Sequence, residues 1–303
     1  MNARALAALL AATLVAPAAS AWAQTPLTGH YPPGQSGVRG ASTPGRGFAL
    51  TNFNRLFTNL EVKDESGNAA GTVDELRYAN ITMFTWTTGV KVFGMTYGAL
   101  AGIPFATGDL RPTEGEVTSS GGFALGDVLI TPVSLYLARE TFDFQVQFTV
   151  WTASGRYAPG ATDNRGAGFA SLVYSVGGVY YPGATRQAWS LSAVARIGQN
   201  FEQRGSGIQP GDDIVVDWGI ARVLRAGKHP IDAGVSGFGT WQLTTQEGGD
   251  TGDVGRYRFL GAGPEASVAL TDSLALRVRA QWEFNAHNVV RGNSLWIILN
   301  KRW

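Results

Sequence analysis

The sequence predicts an all-β protein: one antiparallel transmembrane β-barrel of about twelve strands, preceded by an irregular N-terminal arm. Three observations carry that expectation. First, Leu274, Leu276, Val278, Ala280 and Trp282 share one phase of the stretch Leu274–Glu283, while Ala275, Arg277, Arg279, Gln281 and Glu283 share the other. A period of two is that of a strand, whose successive side chains point to opposite faces, and about ten residues is what a tilted strand needs to cross a bilayer. Second, the pattern recurs along the chain. Third, the connections between repeats alternate long and short, as loops and turns do in outer-membrane barrels. Composition agrees. Only 16% of residues are charged, and the 9 Trp, 15 Phe and 9 Tyr suit an outward face in contact with lipid. A net charge of +1 gives no reason to expect a nucleic-acid partner. The absence of cysteine excludes disulfides, thiol catalysis and Cys-ligated metals.

In chain order, residues 1–23 are expected to be a cleaved signal peptide. Arg4 supplies the positive start, Ala5–Ala16 the apolar run and Ala21-Trp22-Ala23 a small-x-small cleavage site. Residues 24–46 hold Pro26, Pro32, Pro33, Pro44 and many glycines, so regular strand is not expected there. The segment is read as an arm or a plug, with His30, Tyr31 and Arg39 as its candidate contacts, and composition leaves a disordered leader equally open. Residues 47–303 form the barrel. Its strands are expected at Phe48–Leu60, Val73–Trp86, Met95–Phe105, Phe123–Leu137, Phe142–Ala153, Gly168–Tyr181, Ala188–Phe201, Asp213–Leu224, Ile231–Leu243, Tyr257–Leu270, Leu274–Ala286 and Ser294–Trp303. An even number returns the chain to its starting side, which places both termini in the periplasm. Long connections are expected at Glu61–Thr72, Ala106–Gly122, Ser154–Ala167, Glu202–Asp212, Thr244–Arg256 and His287–Asn293. The fourth strand is apolar on both phases and interrupted by Pro132, which a bulge near Gly126 would reconcile. The second strand is also mixed.

Alternation assigns faces. In the fifth strand Phe142, Phe144, Val146, Phe148 and Val150 are expected toward lipid, and Asp143, Gln145, Gln147, Thr149 and Trp151 toward the lumen. The same reasoning places Arg196, Asp217, Glu265, Arg277, Arg279 and Glu283 inward, with Tyr257 and Phe259. These, with Gln145, Gln147 and Trp151, are the candidate solute contacts, because lumenal residues set selectivity in such barrels. Two readings of the charges stay open: a constriction that orients a polar or anionic group, and ion pairs that neutralise one another, as buried charges must.

Catalysis has little support. The three histidines are His30, His229 and His287. His287 is a conceivable partner for Ser294 in a membrane hydrolase, but there is no G-x-S-x-G elbow. No clustered metal-ligand spacing appears, and loop acids such as Asp250, Asp253, Asp212 and Asp213 suggest at most weak calcium binding. No catalytic residue, metal or cofactor is expected.

Several separated blocks resemble one family. Residues 29–40, GHYPPGQSGVRG, with Pro44 and Gly47-Phe48, are similar to the N-terminal signature of the meta-pathway phenol-degradation family. So are residues 155–168, GRYAPGATDNRGAG, residues 210–220, PGDDIVVDWGI, and the ending EFNAHNVVRGNSLWIILNKRW. Together they extend the resemblance over roughly 29–303. One departure is Ala153-Ser154-Gly155, where the family pattern often has Pro-Thr-Gly, and it concerns a turn. The resemblance implies an outer-membrane barrel associated with breakdown of aromatic compounds and passing small hydrophobic or aromatic solutes inward. It carries over no catalytic residue. The expected surroundings are outer-membrane lipid and lipopolysaccharide, with the barrel-assembly machinery engaging the C-terminal strand that ends at Trp303. The alternatives are a small general water-filled porin and a structural or adhesive barrel without transport.

Overall fold

The computed structural model describes residues 26–303 except 112–118, 162, 163, 185, 187, 225–228 and 250–253. The expected signal peptide, Asp250 and Asp253 lie outside the described residues. The strands are β1 (Gly47–Lys63), β2 (Ala69–Val92), β3 (Met95–Arg111), β4 (Ser119–Leu125), β5 (Leu129–Ala138), β6 (Phe142–Trp151), β7 (Ser171–Tyr180), β8 (Trp189–Asn200), β9 (Asp213–Leu224), β10 (Ile231–Gln242), β11 (Arg258–Ala269), β12 (Leu274–His287) and β13 (Val290–Arg302). Apart from β4 and β5, each pairs antiparallel with its sequence neighbours, and β13 pairs with β1, from Ala49↔Arg302 to Val62↔Val290, which closes the barrel. β4 and β5 both pair with β3 and occupy one place in the wall. The barrel therefore has the twelve strand positions expected.

The fourth expected strand is broken at residues 126–128, where the chain turns the Asp127 carboxylate inward. A second irregularity follows at Pro132, where the register slips between Ile130 and Val133. This bulge leaves Ile130 and Val133 both outward, which accounts for the strand's apolar character on both phases. Three expected long loops are largely strand among the described residues, and one of them, Ala106–Gly122, is taken up by the end of β3 and the start of β4. Glu61–Thr72 is mostly strand, closed by a turn in which Asp64 accepts from Gly67 N–H and its carboxylate accepts from Asn68 N–H. His287–Asn293 is a tight hairpin through Asn288 and Val289. Polar turn residues made the latter two stretches read as loop.

Around most of the barrel the outward face of the strands is apolar. Val146, Leu191, Ile197, Ile220, Val278, Leu295 and Ile297 are all two-fifths exposed or nearly so. Phe48, Trp86, Phe142, Tyr180, Trp189 and Trp303 flank this band at the end holding the short turns. In outer-membrane barrels that end faces the periplasm. Lys301, on the lipid phase, escapes the apolar band by donating to Ser273 Oγ in a turn. No helix among the described residues is long and apolar enough to cross a membrane, and the strands supply the crossing.

Candidate functional site: the occupied lumen

Residues 26–46 run inside the barrel from the loop end to the turn end. At the loop end Leu27 N–H donates to Gln246 Oε1, and Gly29 N–H to the Tyr257 hydroxyl. His30 bridges Ser171 Oγ (2.7 Å) and Asp127 Oδ2 (3.2 Å), stacks on Trp151 and meets Phe169 edge-on. At mid-barrel Asp217 is the main anchor. Its carboxylate accepts from Tyr31 OH (2.5 Å), Gly34 N–H (2.8 Å), Ser36 N–H (3.1 Å) and Arg196 (3.1 Å). Arg196 also lies over the Tyr31 ring, 4.1 Å from its centroid.

A second anchor is built on β11 and β12. Glu265 accepts from Arg279 (2.7 Å), Arg277 (3.3 Å) and the Val38 N–H (3.0 Å). Arg279, fully buried, donates to the Gly34 carbonyl, and Arg277 to the Ser36 carbonyl. The PPGQSGVRG stretch explains why the arm fits. Gly34 and Gly37 have φ of +83° and +63°, conformations that favour glycine. A Cβ at Gly37 would collide with the Arg279 guanidinium and the Glu265 carboxylate. Toward the turn end Arg39 pairs with Asp232 (2.5 Å), Ala41 packs on Val179, Tyr181 and Val194, and Thr43 N–H donates to Asp143. Asp143 is also held by Arg186 and the Tyr181 hydroxyl.

The expected site residues thus divide. Arg196, Asp217, Glu265, Arg277 and Arg279 converge on the arm, and Tyr257 reaches it at Gly29. Gln145, Gln147 and Trp151 border an internal cavity, with Gln147 donating to Tyr136. Phe259 is inward but packs with Phe238 and Tyr257 near the loop end. Glu283 is inward too, but accepts from Gly292 N–H and faces Arg55, and no contact among the described residues joins it to the arm. His287 contacts Glu65, Asn285 and Arg258, while Ser294 accepts from Trp296, so no hydrogen bond joins the two. Asp127, Ser171, Asp232 and Tyr181 were missed as arm contacts. Asp127 left one trace in the sequence, an acid beside a glycine in an otherwise apolar strand.

The cavity, about 450 Å³, lies between the arm and the opposite wall. Tyr31, Gln35, Ser36 and Arg39 of the arm line one side. Phe53, Met83, Leu100, Leu129, Thr131, Thr149 and Val173 line the other. Charged groups edge it and neutral ones floor it, a combination suited to a small solute with an apolar body.

These features define an outer-membrane β-barrel channel fold whose lumen is occupied by the chain's own N-terminal segment. The chain belongs to the family described as "Putative MetA-pathway of phenol degradation", whose sequence profile matches residues 61–299. No curated protein matches it in sequence. Among solved structures it resembles an outer-membrane channel from Pseudomonas putida F1, with a TM-score of 0.73 at 11% identity over 90% of this chain and 100% of that one. Weaker likenesses are to the β domain of the Bordetella autotransporter BrkA (TM-score 0.48, 10% identity, 84% and 100% covered) and to a mutant of the TodX monoaromatic hydrocarbon channel (0.43, 8%, 86% and 91%). Neither of these two bears on what this chain does.

Proposed function

We propose that the protein is an outer-membrane channel for uptake of small hydrophobic or aromatic compounds, and that residues 24–46 plug it. Family membership supports the solute class, and the cavity between the arm and a neutral wall is the observation that carries the reading. Phe53, Leu100, Trp151 and Val173 offer apolar and aromatic surface to a ring-sized solute, while Gln145, Gln147 and Thr149 orient its polar substituent. We read the arm, bonded to Asp217 and Glu265, as closing the aqueous column, so that passage requires it to shift. The physical work is to carry apolar solutes past a polysaccharide leaflet that slows them, and we read lipopolysaccharide as the outer surroundings. The strand ending at Trp303 is the segment we assign to recognition by the assembly machinery.

The test is accumulation of labelled phenol by cells with and without the protein, beside single-channel recording of the purified chain. The expected result is faster accumulation with the protein and a silent bilayer from the intact chain. Ohmic steps from the intact chain that pass hydrophilic sugars would replace this reading with a water-filled pore. Equal accumulation in both strains would leave a barrel without transport.

A further inference from the structure

Around the mid-barrel arm, four guanidinium groups face three carboxylates among the described residues. Arg39 has Asp232 and Arg196 has Asp217, but Arg277 and Arg279 share Glu265. Neither Asp217 nor Glu265 has capacity to spare. Asp217 already accepts from Tyr31, Gly34 and Ser36 as well as Arg196, and Glu265 from Val38 as well as both arginines. Of the two arginines that share Glu265, Arg279 is sealed in the wall, its side chain 0% exposed, whereas the Arg277 side chain is 29% exposed and borders the cavity. Arg302 borders the same cavity nearer the turn end. With Arg302 counted, cations outnumber carboxylates by two around the cavity, and Arg277 faces a wall of Phe53, Leu100, Leu129 and Val173 that holds no charge.

We propose that this cavity is a binding site for a small aromatic acid, with the ring against the neutral wall and the anionic group on Arg277. This deepens the uptake reading and rests on it. A planar guanidinium matches a carboxylate with two parallel hydrogen bonds. A neutral aromatic fills the same apolar surface and leaves Arg277 with no more than its share of Glu265. Size is no obstacle, since a cavity of about 150 Å³ already holds benzene.

The experiment is calorimetric titration of the purified, detergent-solubilised mature chain with benzoate and with benzyl alcohol, a neutral probe of nearly the same shape. Benzoate is expected to bind about tenfold tighter or better, with an affinity that falls as salt rises while that of benzyl alcohol does not. Arg277→Gln is expected to abolish the preference, read as the ratio of the two affinities, and Arg277→Lys to keep part of it. The salt series on the unaltered chain decides the matter even where a variant fails to fold. Equal binding of the two probes with no salt dependence, or a preference that survives Arg277→Gln, overturns the inference and leaves aromatic uptake standing. Binding of neither probe, together with no phenol accumulation in cells, overturns both.

Discussion

The wall made by β8, β9, β11 and β12 meets the arm with Arg196, Asp217, Glu265, Arg277 and Arg279. The wall made by β1, β2, β3 and β5 faces it with Phe53, Met83, Leu100 and Leu129. Outside the barrel the contrast inverts. The ionic wall turns Leu191, Ile197, Ile220 and Val278 to lipid, whereas β1 and β2 turn out Asn52, Asn54, Tyr78, Asn80 and Thr82, tied into one hydrogen-bonded cluster. The difference lies in what each wall requires. Buried ions need partners, so the ionic wall holds the arm in register. The neutral wall presents no ion to the arm, since its inward Arg55 faces Glu283 instead. Among the described residues, the arm's one hydrogen bond to a side chain of β1, β2, β3 or β5 is from Gln35 to Met83 Sδ, at 3.5 Å. The arm clings to one side, and the cavity is what remains on the other.

Breaking the ionic wall should have the largest effect. Asp217→Ala removes three arm contacts and leaves Arg196 buried without its carboxylate, a loss of about 3–5 kcal/mol in the packing of the arm. The expected outcome is conductance steps from a barrel that is silent when intact, with the arm newly open to protease. Continued silence with a protected arm would mean that the ionic wall does not hold the arm in place. Gly37→Val attacks the same wall without touching a charge. Strain at positive φ and collision with Arg279 and Glu265 should cost about 1–3 kcal/mol and give briefer, rarer openings.

On the neutral wall the opposite is expected. Leu100→Trp fills part of the cavity and touches no arm anchor, so the bilayer should stay silent while phenol affinity drops about tenfold. Channel opening in this variant would erase the distinction between the walls. A smaller effect should come from pH. Asp127 sits in the break between β4 and β5, at the loop end. Burial pushes its carboxyl up, but bonds from His30 and from the Ala167 and Gly155 N–H groups outweigh it and hold it below the ordinary 3.8. A carboxyl lowered by folding gives its full stabilisation above its unfolded pKa and loses it as pH falls through the folded one. The protection of the Ala167 and Gly155 amides, taken as exchange relative to an unstructured chain at the same pH, should therefore be high at about pH 5 and fall toward about pH 3, as the loop end of the arm loosens. Protection that stays constant or rises as the pH falls would contradict the assignment.

The ionic wall was legible in the sequence and the neutral one was not, for a physical reason. Arg277 and Arg279, two apart in an alternating strand, can only share a face, and Asp217 and Glu265 fall inward by the same parity. Of the contacts on the arm only the side chains of His30, Tyr31 and Arg39 could be named, because 24–46 has no period and many of its contacts run through backbone groups that any sequence supplies. On the neutral wall polar and apolar residues trade faces, so parity gave a mixed pattern for β2 where the outward face is in fact Tyr78, Asn80, Thr82, Phe84 and Trp86. In β5 the bulge at Pro132 shifts the parity itself.

The outward polar cluster offers the finest test of this inversion. Asn54 Oδ1 accepts from Tyr78 OH (2.6 Å) and Asn80 (3.0 Å), while its amide donates to Asn52 and to the Ile297 carbonyl. In lipid such groups must satisfy one another, because no water is present to do it. Asn54→Leu gains apolar contact with lipid but leaves the Tyr78 hydroxyl and the Asn80 amide short of an acceptor. The net loss should be small, about 0.6 kcal/mol and no more than about 1.7, read as a shift in the urea midpoint for refolding into vesicles. Replacing Asn52, Asn54, Asn80 and Thr82 by apolar residues together with Tyr78→Phe removes the stranded groups as well and should recover that loss or exceed it. A loss of several kcal/mol from Asn54→Leu alone would mean that the cluster holds β1 and β2 together, and the inversion would then be a structural requirement of that wall.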